Sequence, residues 1–253
     1  MFEQGSLIGA KAHEFKARLS KERSEGHEGL IYDLTRGDLA AYEALGDQVA
    51  KASGEAAVIV HPYYAAGWLS RHPISALYID ELADFVTQTQ EKNVPLICFE
   101  EEGKQKSLLK RLPRIKSPLF TINTIAGDPT PAIGISSIRD SAYRDDASRE
   151  MLLDSRTSQM ARMGVKHVLI GGRYFFIDRI PHNSRAYAEF SDQVGHLVSS
   201  RQWLGSNLYP NGCVGAVLKS FLRSGVEVDV ASATSPARSL DDIAALSQGE
   251  DLP

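Results

Sequence analysis

Apolar and polar positions along the chain fall into two alternating patterns. Short β-branched runs alternate with longer segments whose apolar residues recur at helical spacing. GLIYDLT reads as a short strand, and Asp38 caps a helix from Leu39 to about Ser53, closed by Gly54. Ala57 to Val60 (AVIV) reads as a buried strand ending in the aromatic turn His61-Pro62-Tyr63-Tyr64. Ser75 caps a helix running to about Lys92, with Leu77, Ile79, Leu82, Phe85 and Val86 as its apolar set. Two further strands, 95–99 and 118–122, flank a short Lys- and Leu-rich helix. After the turn-rich stretch 126–137 come a helix over roughly 146–163, a strand over 165–170 and a helix from about Ser184 to Trp203. Residues 206–212 read as a loop. A final turn, amphipathic helix and buried strand occupy Asn211 to Thr234.

Strand–helix alternation of this kind predicts an α/β fold. The expectation is a single three-layer domain with a mostly parallel, Rossmann-like sheet flanked by helices. The expected boundaries are an N-terminal helix at 1–28, the α/β domain at 29–235 and a short C-terminal tail at 236–253. Leu7, Ile8, Phe15 and Leu19 supply one side of the charged N-terminal helix. No internal repeat or low-complexity linker interrupts the pattern.

Composition narrows the function classes. The formal net charge is -4, which argues against nucleic acid as the main partner, since phosphate binding needs a basic face. With 2 cysteines there is no disulfide framework, as expected of a reducing compartment. No apolar run approaches the ~18 residues of a membrane span. A cytoplasmic protein with no membrane partner is expected.

Ligands of open parallel sheets sit beyond the carboxyl ends of the strands. Those ends are followed here by His61, Tyr63 and Tyr64, by Glu100 and Glu101, by Asn123 and Thr124, by Gly171, Gly172 and Arg173, and by Ser232 and Thr234. From this set His61, Tyr63, Asn123, Gly172 and Arg173 are the candidate ligand-binding residues. Arg173 and backbone N–H groups suit an anionic small molecule. Familiar motifs are missing. The stretch Gly127 to Gly134 lacks the lysine of a phosphate loop, and aromatic residues follow Gly171-Gly172 where a dinucleotide fingerprint would start a helix. There is no G-x-S-x-G elbow. Scattered histidines and cysteines offer no metal site, and no cofactor is expected.

Cys98 lies inside an apolar strand and reads as an inert buried thiol. Cys213 differs, because a cap at Asn211 would put it in the first turn of a helix. Free N–H groups and the positive end of the dipole there favour a thiolate. Val214, Val217, Leu218, Phe221 and Leu222 form that helix's buried face. The order Cys213-Val214, Gly225 and then Val226-Glu227-Val228-Asp229-Val230 resembles the C-terminal unit of the isochorismatase-like cysteine hydrolases. That resemblance implies a parallel α/β sheet and hydrolysis of amides or vinyl ethers by a Cys, an Asp and a Lys. Cys213 would be the nucleophile, Asp33 would stand for the family's Asp, and Lys104, Lys106 or Lys116 for its Lys. The chain departs from the pattern in three places. The family's first strand ends in an Asp followed by a Gln, and AVIVHPYY has neither. Asn207-Leu208-Tyr209-Pro210 replaces the Gly-x-x-Thr before the nucleophile, and Ala233 stands where an Asp ends the last strand.

Three functions are therefore weighed. The first is a small-molecule-binding α/β protein with its site at the strand ends. The second is a cysteine hydrolase in which Cys213 attacks a carbonyl with Asp33 or Glu101 as base. The third is a non-catalytic interaction protein on a Rossmann-like scaffold. Its contacts, including any homo-oligomer, would use the N-terminal helix and the aromatic region Arg173 to Asn211, with Tyr174, Phe175, Phe176, Tyr187, Phe190 and Trp203. The first is preferred.

Overall fold

The structure is a computed structural model that describes residues 30–62, 73–100, 117–124, 146–172, 176–179, 183–195 and 208–231. In chain order the elements are β1 (Ile31–Asp33), α1 (Leu39–Lys51), β2 (Glu55–Val60), α2 (Pro73–Glu91), β3 (Leu96–Glu100) and β4 (Leu119–Asn123). They continue with α3 (Asp146–Arg162), β5 (His167–Gly172), β6 (Phe176–Arg179), α4 (Arg185–Val194), β7 (Leu208–Asn211), α5 (Gly212–Arg223) and β8 (Glu227–Val230). Six strands form one sheet in the order β1-β4-β3-β2-β5-β8, with every pair parallel. The expected α/β architecture with a parallel, Rossmann-like sheet is thus present.

Side-chain alternation divides the core into two layers. Val58, Val60, Ile97, Phe99, Phe120, Ile122, Val168 and Ile170 face α1, α3 and α5. Their intervening neighbours Ala57, Ile59, Leu96, Cys98 and Leu119 face Leu82, Phe85 and Val86 of α2. Central strands covered on both sides must be apolar at every position, which is why they read as unbroken hydrophobic runs. The winding follows from the same division. The chain leaves β2 through α2 on one face and reaches β5 and β8 through α3 and α5 on the other.

Local chemistry sets the element ends. The Asp38 carboxylate accepts from the Ala40 N–H at 3.1 Å and caps α1. Ser184 caps α4 through the Tyr187 N–H. α2 starts at Pro73, not at the expected Ser75 cap, because proline's fixed φ and missing N–H suit a helix's first turn. The expected helix to Trp203 ends earlier, at Val194 with Gly195 as its C-cap. Gly171 and Gly172 belong to β5 and do not follow it.

The expected loop 206–212 is also corrected. Leu208–Asn211 is a strand, β7, that pairs antiparallel with β6 as a separate ribbon. β7 runs straight into α5, with Asn211 as its last residue. The N-terminal helix, the Lys- and Leu-rich segment after β3 and the C-terminal tail lie outside the described residues.

A polar seam joins α3 to α5 within this otherwise apolar layer. Thr157 Oγ1, fully buried, lies 2.8 Å from Ser220 Oγ and 2.9 Å from Ser224 Oγ. Ser220 Oγ donates to Asp154 Oδ1, which also pairs with the Arg223 guanidinium at 2.7 Å. Among the described residues, no helix is long and apolar enough to cross a membrane.

Candidate functional site

The carboxyl ends of β2, β3 and β4 lie side by side and carry buried polar groups. His61 follows β2, Glu100 ends β3, and Asn123 and Thr124 end β4. All four are buried, and Glu100 has no exposed surface at all. Parity explains Glu100: it shares the α2-facing side of its strand with Leu96 and Cys98, and its register partner is Asn123.

His61 continues the ladder after β2 by donating its backbone N–H to the Phe99 carbonyl at 2.8 Å. Its φ of +50° is the left-handed region, unusual for a residue with a Cβ. The ring's Nε2 lies 2.8 Å from Thr124 Oγ1. Because β3 lies between β2 and β4, this bond spans the carboxyl end of β3. On the outer side, the Asn123 N–H donates to Thr35 Oγ1 at 2.8 Å. Thr35 is held in turn by its own N–H, which donates to Asp33 Oδ1 at 2.8 Å. Strained backbone and buried polar groups collect where the structure over-determines them, and functional rims are such places.

Gly172 forms the wall beside β2. It pairs with Val60 in parallel register, with φ +139°. A Cβ at this position would run into the Val60 carbonyl oxygen and come within 2.6 Å of the Val60 nitrogen. The two backbones therefore meet here at a distance only glycine allows.

Cys213 lies in the first turn of α5, and α5 packs over β2 and β5. In a parallel βαβ unit the helix runs antiparallel to the strands, so its N-terminus comes to their carboxyl ends. The sulfur itself sits in the apolar layer, 2 % exposed. Burial pushes its pKa up to about 12; a backbone N–H opposes this, and the nearby Glu100 charge adds to it. Cys98 is buried too, and burial followed by the Glu100 charge holds it as a thiol. Both cysteines are free.

The predicted residues do not all meet. His61 and Asn123 lie at the ends of β2 and β4 with β3 between them, and Gly172 lies on the other side of β2. Asp33 lies apart: it is exposed on the edge strand β1, roughly 14 Å from β2 at three strand spacings, and its carboxylate closes a turn. That position separates it from Cys213 and unites it with Thr35. Tyr63, Glu101 and Arg173 lie outside the described residues, as do Lys104, Lys106 and Lys116. Thr35 and the full burial of Glu100 had no sequence signal beyond strand parity. Among the described residues, no group of three or more His, Cys, Asp or Glu side chains is placed to hold a metal ion.

Comparison with protein-family models, curated proteins and solved structures finds no match to the chain.

Proposed function

We propose that this chain binds a small molecule at the carboxyl ends of β2, β3 and β4. One observation carries the reading: four buried polar side chains, His61, Glu100, Asn123 and Thr124, lie together at one end of a largely apolar sheet. Convergent polar groups at the carboxyl ends of parallel strands are the usual makings of a ligand site. The connections of β2 and β5 lead to opposite faces, so the topological switch point of the sheet borders this site at β2. An anionic group on the ligand is expected from Arg173. A cytoplasmic setting belongs to the same proposal and is supported by the two free cysteines.

A thermal-shift screen of anionic metabolites, organic acids and phosphorylated sugars tests it. A ligand at 100 times its Kd adds about 2.7 kcal/mol. For a chain of this size that is a rise of about 5–10 °C. His61→Gln is expected to abolish the rise while leaving the circular dichroism spectrum intact. Absence of a shift with every compound would refute the reading.

A second reading has a specific observation behind it. Cys213 lies in the first turn of α5, whose N–H groups could hold an oxyanion, although burial and the Glu100 charge both favour its protonated form. In that hydrolase the base would be Glu101, since Asp33 lies apart on the edge strand. It requires Cys213 to react with iodoacetamide in the folded chain. Protection of the sulfur under native conditions removes it.

A further inference from the structure

Arg156 is half-buried, and no carboxylate among the described residues pairs with it. It belongs to α3, which packs beside α1 on one face of the sheet. Two close approaches fix how these helices run. The Arg156 guanidinium lies over Gly37, just before α1, and Met163 lies against Gly46, further along it. Residue numbers rise together in the two contacts, so α1 and α3 run side by side in the same direction. Arg156 therefore stands level with the turn that follows β1, at the carboxyl edge of the sheet.

That turn is locked from below. The Leu34 carbonyl accepts from the Gly37 N–H at 3.2 Å and from the Tyr42 hydroxyl at 3.2 Å. Gly37 has φ +76°, and a Cβ there would come within 2.5 Å of Arg156 Nη1 and 3.2 Å of its Cζ. Only a residue without a Cβ lets the guanidinium lie this close to the backbone. Burial holds the Tyr42 phenol above its ordinary range; the Arg156 charge opposes this and the Asp33 charge adds to it.

The hydrogen bonding of the guanidinium is one-sided. Nη1 donates to Gln159 Oε1 at 3.5 Å. Nε is buried and has no hydrogen-bond partner. The Asp33 carboxylate gives Oδ1 to the Thr35 N–H instead. Nε and Nη2 share the edge of a guanidinium that forks onto two oxygens of one anion. A buried donor on a charged group is costly to leave unmade, and this edge fits two oxygens in one plane.

We infer that the Nε–Nη2 edge of Arg156, held over Gly37, binds an oxyanion, a phosphate or a carboxylate, at the turn between β1 and α1. Arg36, exposed beside Gly37, adds positive charge to the approach. Arg156 keeps part of its surface in solvent, so binding asks for a shift of one side chain and not for an opening of the core. The site lies at the β1 edge and does not rest on the small-molecule site proposed above.

Nitrogen–proton NMR of the full chain reads the site directly, because the Arg156 Nε–H resonance can be assigned through the bonds of its own side chain. Titration with inorganic phosphate or with acetate, at ionic strength held constant with sodium chloride, should move that resonance downfield until it saturates. Chloride alone should not move it. Phosphate should bind about tenfold or more weakly in Arg156→Lys, which keeps the charge and loses the fork. Gly37→Ala should weaken it too, since the new Cβ pushes Nη1 aside. The wild-type titration needs no variant, so it stands even if a substitution fails to fold. A response to either anion alone supports the site and names the oxyanion it takes. A resonance that neither anion moves, a response equalled by chloride, or a phosphate affinity unchanged in Arg156→Lys overturns the assignment.

Discussion

Replacing Gly172 by alanine tests the wall of the rim directly. Two separable penalties meet at this residue. Its φ of +139° is a conformation that L-residues avoid, and holding alanine there costs about 1–3 kcal/mol. The added Cβ would also collide with the carbonyl oxygen and nitrogen of Val60, which are backbone atoms of a central strand and cannot swing away. Overpacking of this kind costs a further 1–3 kcal/mol or so, roughly 4 kcal/mol together. Gly225 supplies the control. It too has positive φ, +78°, yet nothing lies within 4 Å of its missing Cβ. Gly225→Ala should therefore lose only the backbone part, about 1 kcal/mol. Urea unfolding followed by circular dichroism at fixed pH reads both variants against the wild type. The expected gap between them is about 3 kcal/mol, or about 6–12 °C in Tm for a chain of this size. Should Gly172→Ala fall within about 0.5 kcal/mol of Gly225→Ala, the close approach of β5 to β2 at the rim is refuted.

Three further outcomes are expected. The Cys213 pKa is raised from 9.0 to about 12 by burial, so below pH 9 the thiol is protonated folded and unfolded alike; between pH 9 and about 12 the unfolded chain loses that proton first and stability falls. The drop in urea midpoint from pH 8 to pH 10.5 should thus be smaller in Cys213→Ala than in the wild type, and equal drops would contradict the burial. Thr157→Val and Ser220→Ala should each cost about 1–3 kcal/mol by leaving buried hydroxyl partners unsatisfied, but the double variant should cost about 1 kcal/mol less than their sum, and strict additivity would deny the seam. Asp38→Ala should cost about 1 kcal/mol of stability and Asp38→Asn much less; equal losses would mean that the side chain does not cap α1.

Much of the fold was legible because central parallel strands advertise themselves. AVIV and LICF are apolar at every position and LFTI at all but Thr121, and Asp38 and Ser184 are helix caps by residue type alone. The ribbon of β6 and β7 was not legible. Asn207, Pro210 and Asn211 are turn-forming residues, and a short two-stranded ribbon tolerates proline at an open edge that a central strand would reject. The site was legible only in outline. Strand ends were the right place to look, but a one-residue error in the end of β3 puts Glu100 outside the strand and hides its buried parity. The link from His61 to Thr124 spans 63 residues of sequence and exists because β3 lies between two strands, an order no local pattern encodes. Asp33 shows the reverse: its residue type suggested a base, while its position on an edge strand gives it a turn to close.

Cys213 shows how magnitudes decide between two effects that a sequence presents as equals. Its place in the first turn of a helix favours the thiolate, by up to about 2 kcal/mol in partly buried geometries. Burial acts the other way. A pKa raised from 9.0 to about 12 is a preference for the thiol of about 4 kcal/mol, with the backbone N–H bond already counted. Desolvation wins because the sulfur lies beneath the rim, among the side chains that dock α5 onto the sheet, and Glu100 adds negative charge from the strand-end side. A hydrolase built on this sulfur would need substrate binding to uncover it and a base to take its proton in the same event. A binding site built on Glu100, His61 and Asn123 needs neither, since these residues are already held at the strand ends by the sheet itself.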